Sequence, residues 1–153
     1  MADFDRLVKA YDIRGTVPDE MNAGIARDVG ALFVRLTGTR RLAVARDMRD
    51  SSPALAAALA EGAASAGADV LDAGLGSTDY AYYVSGALGI PAAMITASHN
   101  PAAYNGIKLC RAGAAPVGED TGLAEIRAWL AAGDIPGPVA DPGTVTSQDL
   151  RAD

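Results

Sequence analysis

The sequence has very little with which to make a disulfide or a metal centre. It holds one cysteine and one histidine in 153 residues. An internal disulfide is therefore excluded, and so is a cysteine-based zinc site built from this chain alone. The single thiol, Cys110, lies in an apolar run and reads as a packed core residue. Aromatic residues are only 5% of the chain, which leaves alanine and aliphatic side chains to build the core. No apolar run is long enough to span a bilayer, and the opening MADFDRLVKAYDIRG shows no signal-peptide apolar segment. Positive charge is scarce too. Thirteen Lys and Arg against nineteen Asp and Glu give a net charge of −6, the wrong sign for a general nucleic-acid or membrane binder. These absences lead to the expectation of a cytoplasmic protein with no nucleic-acid and no membrane partner.

Half of the residues are hydrophobic, enough for one domain with a real core. Their periodicity alternates between helix and strand. NAGIARDVGALFVRLTG sets Ile25, Val29, Leu32, Phe33 and Leu36 on one helical face, with Asn22 as N-cap and Gly38 as the stop. RRLAVARD reads as a strand, and SSPALAAALAEGAASAG as a helix capped by Ser52 with Pro53 in its first turn. Further along come the strand ADVLDAG, the helix STDYAYYVSGALG, the strands IPAAMITA and GIKLCR, and the helix TGLAEIRAWLAAGD. This order predicts a three-layer α/β/α sandwich around a mixed, mostly parallel sheet. The two strands flanking Ser98 are joined by too short a segment for a parallel crossover, so at least that pair is expected to be antiparallel. The expected domain covers residues 1–134. Residues 135–153, rich in Pro and Gly and without helical period, read as a linker leaving the domain.

Several of the few cations fall at predicted strand ends: Arg14, Arg46, Arg49 and Lys108. In an acidic protein that placement suggests a local anion site. The segment MITASHNPAAYNGIKLC, Met94 to Cys110, carries the most concentrated polar chemistry. A serine beside the only histidine suggests a hydrolase, but a nucleophile elbow needs glycines two positions either side, and Thr96 and Asn100 stand there. His99 is also adjacent in sequence, so in extended backbone it points away from Ser98 and cannot serve as its base. Neither DAGLGS nor any other stretch makes a Walker loop or a good dinucleotide fingerprint. On physical grounds alone two readings fit the turn equally. One is an anion-binding turn built from hydroxyls, backbone N–H groups and a lysine. The other is a purely structural turn capped by Ser and Asn side chains.

Four segments decide between them. Thr96-Ala97-Ser98-His99-Asn100-Pro101 is similar to the phosphoserine signature of the α-D-phosphohexomutases, the phosphoglucomutase and phosphomannomutase family. YDIRG (Tyr11–Gly15) resembles that family's N-terminal motif, ARDMRDSS (Ala45–Ser52) its G-R-D-x-R-x-S-S segment, and YNGIK (Tyr104–Lys108) its N-G-x-K segment. All four stand in the family's order. Two positions depart from the pattern: Ala45 replaces a glycine, which requires a negative φ there, and Asp79 stands where proline usually starts a helix.

The resemblance implies an enzyme of four domains, of which this chain corresponds to the first. It implies that Ser98 carries a phosphoryl group, gives it to the free hydroxyl of a hexose 1- or 6-phosphate, and is rephosphorylated as the bisphosphate intermediate turns over. Lys108 would face the transferring oxygens, and Arg14 would hold phosphoserine or substrate phosphate. His99 would fix the loop or help move a proton. Tyr11, Arg46 and Asn100 complete the implied phosphate-binding set, with Asn100 also holding the turn and Pro101 stiffening it. Phosphorylated Ser98 would give one ligand to Mg2+, whose other ligands belong to a second domain, and a hexose 1,6-bisphosphate would act as activator. The implied partners are a small sugar phosphate and the remaining domains. The face carrying Arg14, Arg46, Ser98 and Lys108 is expected to be a shallow, open, positive depression, and the isolated chain to be inactive. Two alternatives remain beside this reading: domain 1 of a phosphoglucosamine mutase, and a non-catalytic phosphate-binding module of the same fold.

Overall fold

The computed structural model describes residues 3–97 and 100–150. In chain order the elements are α1 (Phe4–Leu7), β1 (Ile13–Thr16), α2 (Ala23–Thr37), β2 (Arg41–Arg46), α3 (Ser52–Ser65), β3 (Asp69–Leu75), α4 (Thr78–Leu88), β4 (Ala92–Ile95), β5 (Tyr104–Arg111), β6 (Ala115–Pro116), a short 3-10 turn (Glu119–Thr121), α5 (Leu123–Ala132) and β7 (Val145–Ser147).

The helix boundaries follow local chemistry. Asn22 accepts from the Ile25 N–H at 3.1 Å and so satisfies one of the open donors of α2. The helix stops where Gly38 turns left-handed at φ 65°. Ser77 caps α4 in the same way, accepting from Tyr80 N–H at 3.2 Å, and Asp79 lies in the first turn. An acid there favours the helix start through the N-terminal partial charge, so the missing proline does not cost the helix. The expected cap at Ser52 is corrected by the structure. The helix begins at Ser52 itself, and the preceding Ser51 makes no capping bond. Both serine hydroxyls are engaged elsewhere, with Asn105.

The strands form one mixed sheet in the order β1-β5-β4-β2-β3-β7, with β6 paired to β5. The β4-β2-β3-β7 part is parallel, and the β1-β5-β4 part is antiparallel. The short connection from β4 to β5 therefore reverses the chain, as its length requires.

Helices α2, α3 and α5 cover one face, closing a core around Leu32, Phe33, Leu42, Leu59, Ile107 and Ile126. Full burial of each such side chain contributes about 1.5–3 kcal/mol. Helices α2 and α3 come together at two glycines. A Cβ on Gly30 would lie 2.1 Å from the Leu59 carbonyl oxygen, and one on Gly62 would lie 1.9 Å from that of Arg27. The small residues of this otherwise alanine-rich helix pair thus set its spacing. On the opposite face α4 closes a smaller core of Ala43, Ala45, Ala92, Met94, Cys110 and Val84. Among the described residues this second core takes nothing from β1. Among the described residues no helix closes the outer half of that face into a core, and the candidate site lies there.

Within the expected linker, Val145–Ser147 is laid along β3 as a parallel edge strand. Leu150 is buried, and its N–H donates to the Tyr80 hydroxyl at 3.0 Å. All three residues of β7 are exposed, so no apolar alternation announces the strand. Backbone ladder bonds place it. No helix among the described residues is long and apolar enough to cross a membrane.

Candidate functional site

The site is built on the pairing of β1 with β5. Ile13 pairs with Ile107, and both enter the large core. Side chains alternate along a strand and paired residues share a face. The neighbours of this pair, Asp12 and Arg14 on one side and Gly106 and Lys108 on the other, therefore lie on the opposite, uncovered face. Arg14 pairs with Gly106. One step further along, the Lys108 ammonium stands 3.8 Å from the Asp12 carboxylate. The lysine side chain is 27% exposed and that of the aspartate 8%, so a nearly buried anion holds a cation that still reaches solvent.

The Asn-Gly-x-Lys spacing has a physical reason here. A Cβ on Gly106 would meet the Ile13 carbonyl oxygen at 2.5 Å and the Arg14 Cα at 3.2 Å. Glycine is needed for the close approach of β1, the next residue goes to the core, and the lysine returns to the open face.

The connection between β4 and β5 leaves the sheet at Thr96, whose N–H donates to the Gly106 carbonyl at 2.9 Å. The Ala97 carbonyl then accepts from both the backbone N–H (3.1 Å) and the side-chain amide (2.7 Å) of Asn100. Such a local side-chain bond is how asparagine holds a turn. Pro101 is exposed, and its carbonyl accepts from Tyr104 N–H at 2.9 Å. Ser98 and His99, the two residues singled out as phosphoryl carrier and its neighbour, lie outside the described residues.

A second layer of bonds comes from the β2–α3 segment. The Arg49 guanidinium donates to the carbonyls of Asn100 (2.6 Å), Pro101 (2.8 Å) and Tyr104 (2.8 Å). Asp47 lies 3.5 Å from Arg49 Nε, and it accepts from the Arg49 N–H and the Ser52 hydroxyl. Asn105, fully buried, donates to the hydroxyls of Ser51 (2.8 Å) and Ser52 (2.9 Å) and accepts from Gly106 N–H (2.8 Å).

The structure thus brings Arg14 and Lys108 together on one face, but it separates Arg46 from them. Arg46 pairs with Ile95, whose side chain belongs to the large core. Register therefore puts Arg46 at the loop end of the sheet but on the other face, and the expected grouping of all three cations is corrected accordingly. Tyr11 precedes β1 and is 81% exposed. Ala45 is not among the described residues with positive φ, so its methyl is tolerated where the family pattern has glycine. Cys110 is buried, and burial pushes its thiol above the ordinary cysteine range. Sequence reasoning missed Asp12, Asp47 and Asn105, and read Arg49 only as one more loop cation. The i, i+2 spacing of Asp12 and Arg14 around a core isoleucine was the available signal for the first. Asp47 acts within its own turn, on Arg49 and Ser52, whereas the bonds of Asn105 and Arg49 are set by contacts between distant segments.

With this geometry in place, comparison with known proteins gives a consistent picture. Residues 5–134 match the family model described as phosphoglucomutase/phosphomannomutase, alpha/beta/alpha domain I. The chain belongs to this family. It is 43% identical over 134 residues to a phosphomannomutase of Salmonella montevideo, an alignment covering 87% of this chain and 29% of that protein. A phosphomannomutase of Klebsiella pneumoniae is 43% identical over 120 residues, 78% of this chain and 76% of that protein. Among solved structures, a phosphoglucomutase/phosphomannomutase family protein of Burkholderia thailandensis superposes with a TM-score of 0.85 at 30% identity, covering 98% of this chain and 34% of that one. The chain thus spans less than a third of the Salmonella relative, and its match is to the family's first domain.

Proposed function

We propose that this chain is the phosphoserine-bearing domain of a phosphohexomutase interconverting hexose 1-phosphate and hexose 6-phosphate through a bisphosphate intermediate. In the proposed step the bond between phosphorus and the Ser98 oxygen breaks as a bond to the free sugar hydroxyl forms. The hydroxyl loses its proton and the serine oxygen regains one. The reverse transfer from the other phosphate restores phosphoserine.

The observation that carries the proposal is the β1–β5 register, which gathers Arg14 and Lys108 on one uncovered face. Phosphoryl transfer asks little covalent chemistry of the protein. Its demands are in-line positioning and balance of the charge on the phosphoryl oxygens. Lys108 answers the second demand, with Asp12 holding its ammonium. Arg14, with its planar guanidinium, suits a phosphate bidentately. A loop turn held by Asn100 and Arg49 answers the first. The role of His99 remains within the proposal as loop support or proton transfer.

Mg2+ fits this chain only as a partner of phosphorylated Ser98. Among the described residues no three His, Cys, Asp or Glu come together to hold a metal ion, so its other ligands belong in the proposal to a further domain.

The experiment is an assay of hexose 1- and 6-phosphate interconversion with Mg2+ and a hexose 1,6-bisphosphate. The 153-residue chain is expected to be inactive, the full-length enzyme active, and its Ser98→Ala variant nearly inactive. Lys108→Ala should lower kcat more than it raises KM, because the ammonium matters most as charge shifts in the transition state. Turnover by the Ser98→Ala enzyme at the wild-type rate would overturn the proposal.

A further inference from the structure

Arg49 lies in the middle of the β2–α3 connection, and in sequence it is indistinguishable from the cations expected to bind phosphate. Its donors are used differently. Three of its N–H···O bonds go to main-chain carbonyls at positions 100, 101 and 104. Its side chain is only 15% exposed, and the carboxylate of Asp47 lies against its Nε. A guanidinium that receives an anion keeps a pair of N–H groups directed at the ligand. One whose N–H groups converge on three carbonyls of a single loop, with its charge met by a neighbouring carboxylate, acts as a brace.

We propose that Arg49 is the positioning residue of the phosphoserine loop: it locks residues 100–104, the limb that follows Ser98 in the chain, and its loss costs phosphoryl transfer rather than substrate binding. This inference rests on the phosphoryl-carrier reading given above. The preceding limb is fixed to the sheet by Thr96 N–H on the Gly106 carbonyl, and the two limbs meet where the Ala97 carbonyl accepts from Asn100. The following limb has Tyr104 N–H on the Pro101 carbonyl, and Val17 N–H of the β1 side on the Ala103 carbonyl. Among the described residues, Arg49 ties this limb to the β2–α3 side at three points across the outer turn, whereas Asn105 joins the serines from within β5. The brace is itself braced, since Asp47 accepts from the Arg49 N–H and the Ser52 hydroxyl. Lysine cannot replace it, because an ammonium on a flexible stem does not match the forked geometry of three carbonyls.

The test has two arms. In the 153-residue chain, hydrogen exchange is followed at the amides of Asn100 and Tyr104, which are hydrogen-bonded within the loop. Arg49→Lys and Arg49→Ala should speed exchange there by about tenfold or more, while core amides of β2 and β4 keep their protection. In the full-length enzyme both variants should lose roughly 10–100-fold in kcat with KM changed by no more than about threefold, the cost of a carrier misplaced by about an ångström. Free guanidinium at millimolar concentration should restore part of the Arg49→Ala loss. If the alanine variant fails to fold, the lysine variant carries both arms.

A wild-type kcat in either folded variant, or unchanged exchange at Asn100 and Tyr104, would overturn the inference. So would a loss confined to KM, which would make Arg49 a substrate-phosphate ligand. The exchange arm needs no turnover. It therefore reads the brace even if Ser98→Ala were to show that the carrier reading itself is wrong.

Discussion

Asn105→Ala is the substitution whose cost the structure defines most closely. The side chain is fully buried and makes three bonds: two from its amide to the Ser51 and Ser52 hydroxyls and one to its carbonyl oxygen from Gly106 N–H. Each such bond contributes about 0.5–1.5 kcal/mol net, and a buried group left unpaired costs about 1–3 kcal/mol. The partners do not suffer equally. Ser52 keeps its bond to Asp47, whereas Ser51 and Gly106 N–H lose the bond that Asn105 gave them. Ser51 is only half-buried and can turn to water, so the three lost bonds set the cost, about 1.5–4.5 kcal/mol in all. For a chain of this size that is a fall in Tm of roughly 5–15 °C.

Urea unfolding of the 153-residue chain measures it directly, with the midpoint falling and the m-value unchanged. Ser51→Ala should cost less, since it removes one bond and orphans only part of one amide. The double variant should cost less than the sum of the two, because the two side chains share a bond. If Asn105→Ala moves the midpoint by less than about 0.5 kcal/mol equivalent, below the worth of a single bond, the reasoning fails: the β2–α3 segment would not be tied to β5 through this amide.

Two further expectations follow from perturbed groups. Cys110 is 1% exposed with its thiol pushed up by burial, so a thiol reagent at neutral pH should label it only at the rate of unfolding, and rapid stoichiometric labelling of the native chain would contradict the placement. Glu20 has its carboxyl held below the ordinary glutamate range, first by the Thr16 N–H bond, then by the Thr16 hydroxyl. A lowered folded-state pKa gives stability that is present above the ordinary value and lost as pH falls through the folded one. The urea midpoint should therefore drop on acidification in that window, and drop less in Glu20→Gln.

The architecture was legible where local chemistry decides it. Asn22, Gly38, Ser77 and Asp79 mark helix ends because their side chains or backbone angles act within one turn. The reversal between β4 and β5 was legible because the connection is too short to do anything else. What could not be read was decided by partners far away in sequence. Arg14, Arg46, Arg49 and Lys108 look alike as cations near strand ends. Only the register with Gly106 and Ile95 puts Arg14 and Arg46 on opposite faces, and only the approach of residues 100–104 turns Arg49 inward. Ser52 was misread as a cap for the same reason: the helix already begins at Ser52, and the hydroxyls of both Ser51 at the cap position and Ser52 accept from a buried asparagine distant in sequence. The strand β7 carries no pattern at all, since all three of its residues are exposed.

The four sequence segments shared with the family thus divide by task, although in sequence all read as phosphate-binding candidates. The segments around Asp12–Arg14 and Gly106–Lys108 bring charge to the open face, and they can do so only because a glycine lets β1 and β5 approach at that point. The segment Asp47–Ser52 turns its polar groups to the loop and to Asn105. Residues 100–105, which follow Ser98 in the chain, are thereby anchored by groups that need not touch a ligand. This arrangement suits a step whose barrier depends on position and charge balance. In the proposed function a phosphoryl carrier on an unbraced loop would spend transition-state stabilisation on ordering that loop, and the bonds at residues 100–104 meet part of this cost on folding. Among the described residues α4 is the helix that closes this face, and Arg14 and Lys108 beyond it stay half-buried and in reach of solvent.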